Sequence, residues 1–134
     1  MTALEVTGLS LQFGGLRALD DLSIAVEAGE RLVILGPNGA GKTTLFNVIS
    51  GMQRPTRGRI ALFGQDVTGT SVARRVGLGL GRTFQIATLF PRLTVLESAM
   101  LAVQAGEPHR FVMHRAMGAY AGTRRRAIEL LAAW

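Results

Sequence analysis

The sequence predicts an α/β fold in which a phosphate-binding-loop core stands beside an antiparallel β layer, with the core incomplete on its C-terminal side. Three observations predict it. The stretch "GPNGAGKTT" at residues 36–44 lies between a short apolar run and an amphipathic one. Apolar runs of strand character stand both before and after that unit, alternating in polarity in those before it. A last amphipathic segment is still showing its apolar stripe at residue 134, which predicts that the fold is longer than these residues.

In chain order, residues 3–13 ("ALEVTGLSLQF") and 22–26 ("LSIAV") alternate in polarity and predict two strands joined by a glycine-containing loop, "GGLRALDD". "RLVIL" (31–35) is a β-rich apolar run and predicts a buried strand. After the loop, "KTTLFNVIS" places Leu45, Phe46 and Ile49 on one helical face, with Gly51 at the C′ position and Pro55 as a stop signal. "GRIALFG" (58–64) predicts another strand, so that an antiparallel layer both precedes and follows the strand at 31–35. "SVARRVG" predicts a short helix, and "GLGRTFQ" (79–85) a strand leading into a loop. Thr94 and Glu97 form a T-x-x-E capping box at the start of a helix that carries Val95, Leu96, Ala99, Met100 and Val103 and ends at Gly106 and Pro108. "TRRRAIELLAAW" carries Ala127, Leu130, Leu131 and Trp134 as an apolar stripe.

The chemistry concentrates in residues 36–44. Gly36, Gly41, Lys42 and Thr43 satisfy the G-x-x-x-x-G-K-[ST] spacing of a phosphate-binding loop, with Pro37, Asn38, Gly39 and Ala40 between. Glycines without a Cβ let successive N–H groups turn inward around an anion. A helix N-terminus beyond the loop adds a partial positive charge of roughly +0.5. Lys42 is the chain's single lysine, against fourteen arginines. Its ammonium is a compact charge on a flexible stem, suited to following β- and γ-phosphate oxygens as a planar guanidinium is not. Thr43 is the candidate ligand for Mg²⁺, and Thr44 reaches toward an α-phosphate.

A chain of 134 residues with 48% hydrophobic content supports a folded domain and argues against disorder. It has no cysteine, which removes disulfides and cysteine zinc sites and suits a reducing compartment. No basic and apolar leader and no run of membrane-spanning length is present, so a cytosolic location is expected. The net charge of +6 is dispersed, with one cluster at Arg124–Arg126, and reads as a solvated basic surface or a docking face. The eight aromatics do not interleave with basic residues as in a stacking platform, and no nucleic-acid partner is expected.

Phe13 in "LQFGGLRALDDLS", the phosphate loop, and "GRTFQ" ending at Gln85, in that order, resemble the nucleotide-binding domain of ABC transporters. The resemblance covers essentially the whole chain. "GLGRTFQ", "LFPRLTVLES" and the arginine-bearing insertion after Val103 are most similar to the subfamily that energises import of branched-chain amino acids, or of amides and urea. It implies a P-loop NTPase core of the ABC ATPase type, with a β subdomain and core over residues 1–85 and the start of a helical subdomain over 86–134. It implies ATP and Mg²⁺ as cofactors, Phe13 stacking on adenine, and Gln85 reaching Mg²⁺ and the attacking water. A lone Phe beside glycines is also compatible with a core position. The implied partners are a second ABC ATPase subunit, the same or different, and transmembrane permease subunits. One of these would rest a short helix on Leu89, Phe90 and Leu93, which places the protein peripherally at the inner face of the membrane.

The family's later motifs are not found in residues 1–134: no "LSGGQ"-like stretch, no apolar strand ending in Asp, no adjacent catalytic Glu. His109 and His114 come too early in the order to match the family's switch histidine and read as surface residues. No catalytic residue is therefore assigned beyond the positioning role of Gln85, and these residues alone are expected to lack ATPase activity. The alternatives are a non-catalytic nucleotide-binding or regulatory module, and a soluble ABC-type ATPase acting on nucleic acid.

Overall fold

A computed structural model describes residues 1–83, 90–106 and 121–133. They fall into two compact units divided at Thr83 and Phe84.

The first unit is a four-stranded antiparallel sheet with two helices. Strand β1 (Thr2–Phe13) pairs with β2 (Leu16–Glu27) on one side and β3 (Arg57–Leu62) on the other, and β3 pairs with β4 (Gln65–Asp66), giving the order β2-β1-β3-β4. The antiparallel layer expected from the alternating runs is present, with two differences. The first hairpin turns on Gly14 and Gly15 alone, because Phe13 pairs with Leu16, and "LRALDD" belongs to β2 rather than to a loop. The second strand run turns back at once, through Phe63 (φ 49°) and Gly64 (φ 79°), a two-residue turn with positive φ at both central positions.

Helix α1 (Lys42–Ile49) lays Leu45, Val48 and Ile49 on the sheet, at the i, i+3, i+4 spacing of one face. They meet Val6, Leu9 and Leu11 of β1, Leu19 of β2, Ile60 and Leu62 of β3, and Val67 in one buried cluster. Val48 takes the core place expected of Phe46, which is 47% exposed. The helix ends as expected at Gly51 (φ 82°), where the Met52 N–H donates to Asn47 O (2.9 Å) and the Gly51 N–H to Val48 O (3.1 Å), the paired bonds of a Schellman motif. The short helix α2 (Val72–Gly77) follows, its first turn capped by the Ser71 hydroxyl accepting from the Arg74 N–H.

Two expected strands are not formed. Residues 31–35 have no regular structure, and Leu32, Val33 and Leu35 are 47%, 74% and 86% exposed. Only Ile34 packs, partly, against the core. None of the described strands pairs with this run, and an unpaired strand neither satisfies its backbone nor covers its side chains. Residues 79–83 are likewise irregular, and Phe84 and Gln85 lie outside the described residues.

In the second unit, α3 (Val95–Ala105) packs against α4 (Ala121–Ala132). The capping box is present in full: Glu97 N–H donates to the Thr94 hydroxyl (3.2 Å), and Thr94 N–H to the Glu97 carboxylate (2.7 Å). Met100 is buried, whereas Val95 is 72% exposed. On α4, Thr123 and Ala127 are buried, and Leu130 and Leu131 of the expected stripe stay half exposed. Pro108, His109, His114 and Trp134 lie outside the described residues.

Candidate functional site

The phosphate loop leaves the open run at Leu35 and enters α1 at Lys42. Its seat on the sheet is set by Gly41, at φ 80°, where a Cβ would lie 2.5 Å from the Ala18 carbonyl oxygen and 3.2 Å from a Leu19 methyl. Only glycine allows the loop to rest this closely on β2. Within the loop the Ala40 N–H donates to Pro37 O at 3.3 Å, and the Gly41 carbonyl accepts the first helical bond, from Leu45 N–H at 2.8 Å. The N–H groups of Lys42, Thr43 and Thr44, in the first turn, have no intrahelical acceptor and face the loop end of the helix dipole.

The Lys42 ammonium folds back over the loop and donates to Gly36 O (2.5 Å) and Pro37 O (2.6 Å). Carbonyl oxygens thus hold the cation at the loop mouth without neutralising it.

A cavity of about 340 Å³ opens over this loop, lined by Asn38 through Thr44 on one side and by Phe13, Leu16, Arg17 and Ala18 on the other. The hairpin explains the juxtaposition. Its two-residue turn places Phe13 opposite Leu16, and β2 continues directly under Gly41. Phe13, 48% exposed, is therefore at the cavity wall and not in the core. Of the residues expected at the site, Phe13 and Asn38 to Thr44 line this space, while Gly36 and Pro37 hold the lysine from behind. Gln85 lies outside the described residues.

Leu16, Arg17 and Ala18 were not anticipated from sequence, where they fell within the supposed loop. The signal was the Gly-Gly pair between two alternating runs, which marks a tight hairpin and carries the strand back past the same point. Arg17 pairs with Asp20 at 3.1 Å on the surface, a contact that contributes little to stability.

The donor set fits a polyphosphate carrying a hard cation. The N–H groups of the first turn of α1 and one ammonium suit the anion. Among the described residues no cluster of three or more His, Cys, Asp or Glu forms a cation site. The Thr43 hydroxyl is a hard oxygen of the kind Mg²⁺ accepts alongside phosphate oxygens and waters.

The family model for ABC transporters matches residues 19–133. The high-affinity branched-chain amino acid transport ATP-binding protein BraF of Pseudomonas aeruginosa is 41% identical over 99 residues, 74% of this chain and 39% of that protein. The sulfate/thiosulfate import ATP-binding protein CysA of Bordetella bronchiseptica is 39% identical over 102 residues, 76% of this chain and 28% of that protein. Among solved structures, a nucleotide-free ATP-binding cassette from an ABC transporter superposes with a TM-score of 0.79 at 32% identity, covering 98% of this chain and 53% of that one. The chain therefore spans less than half the length of these two curated relatives.

Proposed function

The chain belongs to the ABC transporter family, and we propose that it is the N-terminal part of an importer's ATP-binding subunit, binding Mg-ATP in the cavity between Phe13 and the phosphate loop. Residues 1–85 form the β subdomain and the nucleotide-binding part of the core, and residues 86–134 begin the helical subdomain. The observation that carries the reading is that one cavity unites an exposed aromatic face with a lysine-bearing anion cradle.

In this reading each residue has a defined task. The Phe13 ring stacks on adenine by its flat apolar face. Lys42 exchanges the Gly36 and Pro37 carbonyls for β- and γ-phosphate oxygens, while loop N–H groups bind the same phosphates from the backbone side. Thr43 and, by the ABC resemblance, Gln85 would supply oxygens to Mg²⁺, and Thr44 would meet the α-phosphate. Mg²⁺, when bound, would offset phosphate charge. Phosphoryl transfer also needs a positioned base and further charge-stabilising groups, and loss of a general base alone typically costs about 10²- to 10⁴-fold. Residues 1–134 by themselves are accordingly expected to bind nucleotide without sustained turnover.

Titration of the chain with Mg-ATP by calorimetry tests the reading. Saturable one-site binding that Lys42→Ala weakens about tenfold or more is expected, the loss of one charged contact to phosphate. Equal binding by wild type and Lys42→Ala overturns it. Phosphate release sustained over many turnovers by wild type and abolished by Lys42→Ala would contradict the proposed lack of catalysis.

The finer proposal is that the whole protein energises uptake of branched-chain amino acids or related small solutes. It does so at the inner membrane face, with a second ATPase subunit and transmembrane permeases. BraF's name and the "GRTFQ" resemblance support it. Disrupting the protein in its cell should lower leucine uptake and leave sulfate uptake intact. Loss of sulfate uptake instead would move the assignment toward the CysA-like importers.

A further inference from the structure

Arg75 is the largest fully buried side chain among the described residues, 1% exposed, and none of the described ion pairs includes it. Its guanidinium donates to the carbonyls of Val48 (2.7 Å) and Ile49 (2.6 Å), the last turn of α1. Nη2 donates to Thr68 O (3.0 Å) and Nε to the Thr70 hydroxyl (3.3 Å), in the segment after β4. Gly51 lies against it so closely that a Cβ there would come within 2.9 Å of Arg75 Nε. Beside it, Arg82 donates to the Asn47 side chain (2.8 Å) and the Ser50 hydroxyl (3.0 Å) at the same helix end.

A buried cation that no carboxylate among the described residues pairs is an expensive way to tie two segments together, and a neutral donor pair would avoid the desolvation. What the charge meets here is the negative end of a helix dipole whose positive end forms the phosphate loop. The helix has only eight residues, about 12 Å, so a shift at one end is carried to the other. Its near end is seated by Gly41 on β2 and its far end by Arg75 on the segment after β4.

We infer that Arg75 is a positioning residue of the phosphate site, holding the far end of α1 so that the loop at its near end keeps the geometry that admits a polyphosphate. This rests on the nucleotide-binding reading above. A residue that merely holds the fold would, when replaced, reduce binding of every nucleotide alike by reducing the folded fraction. A positioning residue acts selectively on ligands that reach β- and γ-phosphate positions.

The test is the ratio of ATP to AMP affinity, by calorimetry in the chain Met1–Trp134, for wild type, Arg75→Met, Arg75→Lys and Lys42→Ala. Arg75→Met, folded by circular dichroism, is expected to lower the ratio about tenfold, and Arg75→Lys, which keeps the charge, to restore part of it. Should Arg75→Met not fold, Arg75→Lys alone decides, with a ratio about threefold below wild type expected from its fewer hydrogen bonds. A folded variant whose ratio equals that of wild type overturns the inference. Lys42→Ala separates the two claims: if it lowers ATP affinity while the Arg75 variants do not, only the positioning role falls. If it leaves ATP affinity unchanged, the nucleotide site falls, and the positioning role with it.

Discussion

Two apolar runs in the first unit have nearly the same local character and opposite fates. "RIAL" at 59–62 buries Ile60, Ala61 and Leu62 to 4% exposure or less, between β1 and β4. "RLVIL" at 31–35 leaves Leu35 86% exposed and forms no strand. Both are short, β-branched and bounded by turn residues. The difference is the neighbour: β1 is adjacent to one, and no described strand is adjacent to the other. Strand propensity marks a segment able to pair, and pairing decides whether it does.

The largest effect expected from this contrast is in stability. Ile60→Ala should cost about 2–5 kcal/mol in urea denaturation, whereas Val33→Ala should stay within about 0.5 kcal/mol. A comparable loss at both positions would show that residues 31–35 are packed after all. Next in size is Gly41→Ala, which meets the Ala18 carbonyl and holds a left-handed backbone. It should cost about 1–3 kcal/mol and weaken nucleotide binding, since the loop is seated by β2 and not by the open run before it. An unchanged denaturation midpoint would place the loop's support elsewhere.

Much of the site was legible because its signal is local. The loop's spacing, its single lysine and the following helix all lie within residues 36–49. The capping box and the Gly51 terminus were legible for the same reason. What escaped depends on approach from a distance. Phe63 is not a residue type that announces a positive φ, so the hairpin to β4 was hidden. In the Arg74–Arg75 pair nothing local says which arginine is buried, because the carbonyls that receive Arg75 belong to residues 48, 49 and 68. Phe46 and Val48 were exchanged because hydrophobicity alone does not say which face of a short helix meets the sheet. The missing strand at 31–35 is the same lesson at the scale of a whole element.

The second unit offers a smaller check on local signals. Thr94→Ala removes a cap and should cost about 1 kcal/mol of helical-unit stability. The Thr94 N–H, and after it the Thr94 hydroxyl, hold the Glu97 carboxylate below its ordinary value of 4.5. A lowered folded-state value means that this contribution is fully present above pH 4.5 and is lost as pH falls through the folded value. Denaturation midpoints measured on wild type and Glu97→Gln should therefore converge in acid, and midpoints that stay parallel would remove Glu97 from the account.

On the function proposed above, the tip of the first hairpin and the phosphate loop are two walls of one nucleotide site. Photo-crosslinking with 8-azido-ATP, followed by peptide mapping, tests it most directly. Label within residues 13–18 is expected, competed by ATP and lost in Lys42→Ala. Label confined to other segments, or label on the hairpin that persists in Lys42→Ala, would contradict it.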